Sequence, residues 1–136
     1  MLKTVKEFPT NEEFNELFSS VEWGTRAEDK INKNRESSCF AVKIYDGDKI
    51  IGMARVVGDG SYYTIYDVVV RKEYQRLGVG KMLMGEVVNF YKSIEDVNTY
   101  LYLGANKDQE GYFEQFGFET RPDDSFGAGM YFKRVL

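Results

Sequence analysis

Residues 68–81 carry the sequence VVVRKEYQRLGVGK, in which an apolar β-branched run passes through a short polar link into a glycine-containing turn. Such a run favours a strand, and the amphipathic segment after the turn favours a helix. The first amides of a helix lack an intrahelical acceptor and lie at the positive end of its dipole, which suits an anion. Gly78 and Gly80 have no side chain, so a phosphate can approach the backbone closely. The stretch therefore predicts a site for a phosphorylated ligand.

Two common phosphate-binding loops do not fit this turn. A Walker loop requires glycine where this chain has Gln75, and serine or threonine where it has Met82. The dinucleotide fingerprint requires a third glycine where this chain has Leu83. What remains is a Gln-x-x-Gly-x-Gly pattern over residues 75–80 that follows a hydrophobic strand.

The composition limits the class of protein. The 136 residues, of which 43% are apolar and 15% aromatic, predict one globular domain over residues 1–136. The net charge of −4 without a basic stripe argues against a nucleic-acid partner. The absence of histidine excludes Ser-His-Asp and Cys-His catalysis and His-ligated zinc, and no carboxylate cluster predicts another metal site. Any general base must be Asp, Glu, Tyr, Lys or an ordered water.

The sequence contains no signal that would place the chain in or across a membrane. Residues 1–6 lack the apolar core of a signal peptide, and no apolar run approaches the ~18 residues that a membrane span requires. Cys39 stands alone and cannot form an internal disulfide, which fits a reducing compartment. We therefore expect a cytoplasmic protein with no membrane partner. Cys39 lies in an apolar stretch, which favours buried packing over a role as nucleophile.

Hydrophobic periodicity divides the chain into helices and strands. It predicts helices over residues 10–21, 26–35, 77–92 and 109–116. It predicts strands over residues 3–6, 40–45, 49–57, 62–70, 98–103, 118–120 and 128–133. Tight turns make an antiparallel meander of the second to fourth strands, and the helical crossover before residues 98–103 favours parallel pairing. The predicted fold is α/β of the α+β type, with a mixed sheet of six to seven strands flanked by four helices.

Two stretches, in this order of elements, resemble the Gcn-related N-acetyltransferase (GNAT) superfamily. The pattern at residues 75–80 resembles motif A, in which Gln/Arg-x-x-Gly-x-Gly/Ala binds the pyrophosphate of acetyl-CoA. Residues 106–118, NKDQEGYFEQFGF, resemble the second signature, Asn-x-x-Ala-x-x-Phe-Tyr-Glu-Lys-x-Gly-Phe. The element order is similar to that of the GNAT fold over essentially the whole chain.

The resemblance implies acetyl-CoA as the cofactor and names the residues that would hold it. The backbone of the strand end would pair with the pantetheine arm, through Val68, Val69 and Val70. The turn would bind the pyrophosphate through Gln75, Arg76, Leu77, Gly78, Val79, Gly80 and Lys81. In the second signature, Asn106 and Phe113 would contact the CoA arm, although Asn106 equally suits a turn cap.

The resemblance also suggests catalytic residues. An alkyl amine has a pKa near ~10 and must lose a proton before it attacks the thioester. Asp67, just before the pantetheine-binding residues, would act as general base; the alternative is that it faces solvent or pairs with a basic residue. The family's tyrosine acid aligns with Phe113 here, and the neighbouring Tyr112 points about 100° away on a helix. Tyr112 as acid, water as acid, or no acid at all therefore remain open, as does core packing by Tyr112.

The implied activity is transfer of an acetyl group to a primary amine of a small molecule or protein, by direct attack in a ternary complex. The alternative is a non-catalytic acyl-CoA-binding or sensing module, which Phe113 favours. Dimers are common in families of this kind, so a homodimer is a further expectation. The acceptor site is expected to draw its walls from the aromatic residues Trp23, Tyr62, Tyr63, Tyr66, Phe126 and Tyr131.

Overall fold

A computed structural model, which describes residues 1–134, contains a five-stranded mixed sheet in a compact unit spanning Met1–Gly104. The elements of this unit are β1 (Leu2–Val5), α1 (Asn11–Ser20), α2 (Glu28–Ser37), β2 (Ser38–Asp46), β3 (Lys49–Gly58), β4 (Tyr62–Val70), a 3-10 turn (Lys72–Tyr74), α3 (Val79–Lys92) and β5 (Tyr100–Leu103). A second compact unit begins at Ala105 and contains α4 (Glu110–Glu114).

The sheet has the order β1-β2-β3-β4-β5. The first four strands pair antiparallel, and β4 pairs parallel with β5, which confirms the predicted meander and crossover. The α+β class and the four α-helices are also confirmed for the described residues.

The predicted count of six to seven strands is wrong, because residues 118–120 and 128–133 form no strand. Pro122, which lacks an amide hydrogen, closely follows the first segment, and glycines at positions 127 and 129 flank or interrupt the second. A strand exists only where a neighbour completes its hydrogen-bond ladder, so β propensity alone overestimated the sheet.

Helices pack on both faces of the sheet because successive strand residues point to opposite sides. On one face, Phe14, Leu17 and Phe18 of α1 and Ile31 of α2 form a buried cluster with Ile50, Met53 and Val69. On the other face, α3 approaches the sheet at Gly52. A Cβ atom built at Gly52 would lie 3.0 Å from Val79 and 3.2 Å from Leu83, so the missing side chain lets the helix start lie close to β3.

The predicted burial of Cys39 is wrong, because the structure shows this residue exposed. The register between β2 and β3 shifts between Ser38 and Phe40, so Cys39 is the extra residue of a bulge, and bulges redirect side chains. Although the residue is exposed overall, the protein around its sulfur partly desolvates the thiol and raises its pKa. The raised pKa weighs against a thiolate nucleophile.

A capping box at the start of α1 leads into a polar network. Thr10 and Glu13 exchange backbone-to-side-chain hydrogen bonds of 3.1 and 2.9 Å. Glu13 also accepts hydrogen bonds from the Lys43 ammonium, at 3.1 Å, and from the Tyr45 hydroxyl. Burial alone would raise the pKa of Glu13, but hydrogen bonds from Tyr45, Thr10 and Lys43 outweigh it, and the pKa lies below its ordinary value of 4.5.

We expect Glu13→Gln to lower the free energy of unfolding at neutral pH by about 2 kcal/mol, because hydrogen bonds to charged groups are lost and buried Lys43 loses a close counter-charge. A carboxyl whose folded-state pKa is lowered stabilises the fold above its unfolded pKa and loses that effect as pH falls through the folded pKa. The difference between wild type and variant should therefore shrink as the pH drops below 4.5. Urea unfolding at several pH values measures it, with exposed Glu12→Gln as control; equal effects of the two variants would contradict the prediction.

Candidate functional site

The end of β4 carries a bulge. Met53 pairs with Val69 and Arg55 with Tyr66, so the single β3 residue between them, Ala54, faces two β4 residues, Asp67 and Val68. Asp67 has a φ of 54°, in the left-handed region that aspartate tolerates better than most residues. A bulge of this kind bends and twists the strand, which changes the direction of its later backbone groups.

The pairing of β4 with its parallel neighbour ends before this bulge, at the last residue of β5. The pairing of β4 with β5 ends at Ile65 and Leu103, so within Met1–Gly104 no strand continues along that side of residues 66–70. An open strand edge can accept an extended chain that carries amide groups, as in β-strand addition. Val68, Val69 and Val70 lie on this stretch, where the sequence analysis placed them.

The turn after β4 leads into the start of α3, where the first backbone amides have no acceptor within the helix. The amide of Met82 donates to the Gly78 carbonyl at 3.0 Å, so the amides just before Met82 lie in the first turn, where a helix has no acceptor for them. Gly78 is the N-cap residue with a φ of 88°, and a Cβ atom there would meet nothing within 4 Å. Arg76, with a φ of 66°, shapes the turn, and Leu77 is exposed. Residues 76–78 and Lys81 are exposed, whereas Val79 and Gly80 are buried, and the binding of a pyrophosphate by residues 76–81 stays a prediction.

Gln75 does not point its amide group freely outward. Its Nε2 donates to the Val70 carbonyl at 2.9 Å, and so closes the loop between the strand end and the turn. The predicted role of Gln75 as a side-chain donor to pyrophosphate stays a prediction, and it requires this hydrogen bond to open or to be shared.

The segment that carries the turn is tied to the rest of the fold at every residue from 71 to 74. The Arg71 guanidinium donates to the Ile50 carbonyl at 2.9 and 3.1 Å and pairs with Glu16 at 3.0 Å. The other three ties are Lys72 to Glu22 at 3.2 Å, Glu73 to Lys49 at 3.6 Å, and the Tyr74 hydroxyl to Asp46. These contacts reach α1, its C-terminal turn, β3 and β2, so the turn is held before any ligand arrives.

Asp67 pairs with Arg55, a residue that the sequence analysis missed. Its Oδ2 accepts from Arg55 Nε at 2.7 Å, and the guanidinium carbon lies 5.3 Å from the centre of the Tyr66 ring. The residue Arg55 is only 9% exposed, whereas the Asp67 side chain is 23% exposed. The structure therefore shows the alternative considered for Asp67, which is pairing with a basic residue. The role of Asp67 as general base stays a prediction. Arg55 is the one charged residue in the apolar stretch Ile51–Val57. Because a buried arginine is almost always paired, this pattern could have predicted an acidic partner.

The second unit holds the other predicted residues. Tyr112 lies on α4, and its ring packs edge-on against Phe113 and Phe116 at centroid distances of 5.1 and 5.3 Å. Partial burial raises the pKa of the Tyr112 hydroxyl, so it stays protonated at neutral pH. The Asn106 carbonyl accepts from the Gln109 amide at 3.0 Å and opens the turn before α4.

The aromatic residues expected around an acceptor divide by their surroundings. Tyr63 packs against Phe90 and Tyr91 of α3, which is core packing. Tyr62, Tyr66 and Trp23 are exposed. Phe126 and Tyr131, both exposed as well, belong to the second unit.

Residues 1–134 contain neither a group of metal ligands nor a membrane-spanning helix. Among residues 1–134, no three histidine, cysteine or carboxylate side chains gather in a way that could hold a metal ion. In the same range, none of the helices has the length and apolar character needed to cross a membrane.

Comparisons with known proteins agree on one family. The sequence model of the Acetyltransferase (GNAT) family matches residues 7–118. An uncharacterized N-acetyltransferase ycf52 from Gracilaria tenuistipitata var. liui is 33% identical over 85% of this chain, which spans 65% of that relative. Serotonin N-acetyltransferase 2, chloroplastic, from Oryza sativa subsp. japonica is 29% identical, covering 88% of this chain and 62% of the relative.

The fold is also similar to that of a solved structure. A probable acetyltransferase of unknown function from meticillin-resistant Staphylococcus aureus superposes with a TM-score of 0.83 at 30% identity, over 98% of this chain and all of the other. The open strand edge, the glycine turn at the start of α3 and the family match over most of the chain lead to one conclusion: this chain belongs to the GNAT acetyltransferase family.

Proposed function

We propose that the protein is an acetyl-CoA-dependent N-acetyltransferase that acts on a primary amine. The observation that carries the proposal is the order of two features along the chain: the open edge of residues 66–70 is followed by the start of α3, whose first amides have no acceptor within the helix. An amide-containing arm that ends in a pyrophosphate matches that order of a strand edge followed by a helix N-terminus.

Two features of the turn support the proposal of such a ligand. Open space at Gly78 admits a phosphate, and the ties from Arg71 to Tyr74 hold the turn in place. When bound, acetyl-CoA supplies an activated thioester carbonyl that an amine can attack. The protein holds the thioester and the amine in a reactive geometry. Such positioning accelerates a reaction more than a single hydrogen bond does.

The chain must also accept and return a proton. We assign the first task to Asp67, which would take the amine proton on the oxygen that Arg55 does not engage, directly or through one water. We assign the second to Tyr112, whose raised pKa keeps its hydroxyl protonated until the C–S bond breaks and the sulfur leaves with the bonding electrons. The amine nitrogen loses two protons in all, one to Asp67 before attack and one to water after the C–N bond has formed. The Tyr112 phenolate recovers a proton from water and Asp67 releases its own to solvent, so each turnover yields the amide, free CoA thiol and one proton.

The acceptor is proposed to be a small-molecule or protein amine, in a cytoplasmic protein. Exposed Trp23, Tyr62 and Tyr66 would suit an ammonium or aryl group, and the net charge of −4 favours a cation. Serotonin is a sensible first probe, since one relative is named for its acetylation.

Thermal unfolding with acetyl-CoA, NAD and ATP side by side tests the cofactor. A ligand at about 100 times its dissociation constant adds about 2.7 kcal/mol of stability. We expect a rise in Tm with acetyl-CoA and none of that size with NAD or ATP. Equal shifts with all three would indicate a general phosphate site, and no shift with acetyl-CoA would refute the assignment.

Turnover with a panel of amines then separates an enzyme from a binding module. Release of free CoA thiol that depends on the amine supports the enzyme. Binding without turnover across serotonin, polyamines and lysine-containing peptides would favour the acyl-CoA-binding or sensing module, for which Phe113 at the usual tyrosine position is the specific observation.

A further inference from the structure

Arg55 is a charged residue in a place where charge is costly. It lies in the middle of β3, between buried neighbours, and its side chain is 11% exposed. Desolvating a guanidinium is unfavourable unless it is paired and hydrogen-bonded, so a buried arginine usually has a specific partner. Its Nε bonds Asp67 Oδ2 at 2.7 Å, and its Nη1 lies 3.4 Å from Ser38 Oγ.

The partner of Arg55 is the residue that makes the bulge. A φ of 54° is unfavourable for an L-residue in a strand, although aspartate tolerates it better than most. A strand can remove this strain if it slips by one residue into a regular ladder. Such a slip would break the 2.7 Å ion pair, because the Asp67 side chain would then point to the other face.

We propose that Arg55 is a positioning residue, which holds Asp67 and with it the β4 bulge, so that the backbone of residues 66–70 presents its open edge to the acyl-CoA arm. The inference deepens the proposed function and rests on it. Arg55 acts from the neighbouring strand, through a side chain on β4, and needs no contact with the ligand.

Four variants separate the conformation of the bulge from the charge of the carboxylate. Arg55→Met keeps the aliphatic stem but removes the guanidinium. Asp67→Val forbids the positive φ, because β-branched residues rarely adopt it. Asp67→Asn keeps both the tolerance of positive φ and an acceptor for Arg55. The double variant Arg55→Met with Asp67→Gly removes both charges, while glycine adopts a φ above zero at no steric cost.

Two quantities are measured on each variant of the 136-residue chain. The measurements use conditions under which unfolding curves show that the variant is folded. The first is the Kd of acetyl-CoA by titration calorimetry. The second is the backbone chemical shifts of residue 67 without ligand, which report the sign of φ. Arg55→Met and Asp67→Val should weaken binding about tenfold or more, since displacement of a positioned edge by about 1 Å has large effects. Asp67→Asn and the double variant should bind close to wild type.

Rescue by the double variant is the decisive result, since a role in stability alone would not restore affinity when a second residue is changed to glycine. The inference is overturned if Arg55→Met keeps both wild-type affinity and the positive-φ shifts of residue 67. It is also overturned if the double variant binds as weakly as Arg55→Met alone. Failure of the proposed function looks different: wild type itself would not bind acetyl-CoA, while the chemical shifts would still report whether Arg55 holds the bulge.

Discussion

Gly78→Asp is expected to weaken acetyl-CoA binding by about a hundredfold or more, and Gly78→Asn to weaken it far less. Both side chains tolerate the positive φ of this N-cap position, and both extend into open space, so they differ mainly in charge. Two like charges about 4 Å apart repel by about 4 kcal/mol at an effective dielectric constant of 20, which exceeds the loss that a hundredfold change requires. The comparison therefore measures the charge of the ligand group at the helix start.

The same pair of variants controls for folding. An aspartate at a helix N-terminus stabilises the ligand-free helix, so Gly78→Asp should melt no lower than Gly78→Asn. Gly80 would be a poorer choice, because it is buried in the first turn of α3, where a substitution mixes folding with binding. Titration calorimetry gives both affinities. If the two variants bind acetyl-CoA equally well, the pyrophosphate does not lie at this turn.

Asp67→Asn is expected to lower kcat by about a hundredfold while acetyl-CoA affinity changes little, because a general base contributes a factor of that order. Asparagine still accepts a hydrogen bond from Arg55 and still tolerates a φ of 54°, so the geometry of β4 should persist. Steady-state kinetics with an amine that the wild type accepts measures kcat, and calorimetry measures the affinity. A kcat unchanged from wild type would remove Asp67 from the proton transfer.

Tyr112→Phe is the companion variant for the leaving thiolate. Its hydroxyl is the acid in the proposed scheme, so its loss should reduce kcat. The reduction should be smaller than in Asp67→Asn, since a thiolate of modest pKa leaves without full protonation. If Tyr112→Phe retains the wild-type rate, the Tyr112 ring serves packing against Phe116 alone, or water supplies the proton.

Sequence patterns were most reliable where the structure depends on nearby residues. The helices predicted over residues 10–21 and 77–92 depend on apolar spacings of three or four residues, and α1 and α3 lie within those ranges. The predicted strands of the meander match β2 to β4 within two residues, because tight turns bring neighbouring strands together. The glycine turn was recognised for the same reason, since strand, turn and helix follow one another in the chain.

The errors occurred where a partner distant in sequence decides the outcome. Residues 118–120 and 128–133 have the composition of strands, yet no ladder partner pairs with them in the described part of the chain. Cys39 has apolar neighbours, but a bulge against β3 turns its side chain outward. In both cases local composition is uninformative about pairing.

The candidate site divides along the same line. The turn that we propose binds phosphate could be recognised from residues 75–81 alone, because glycine spacing and a helix start are local features. The roles of Arg55 and Gly52 could not, since they depend on the register of β3 against β4 and on where α3 lies across the sheet. The amino-acid sequence thus specifies the strand, turn and helix of the proposed site, because these features are local. The long-range pairing of β3 with β4 places a buried guanidinium against Asp67, beside the bulge that bends the strand edge.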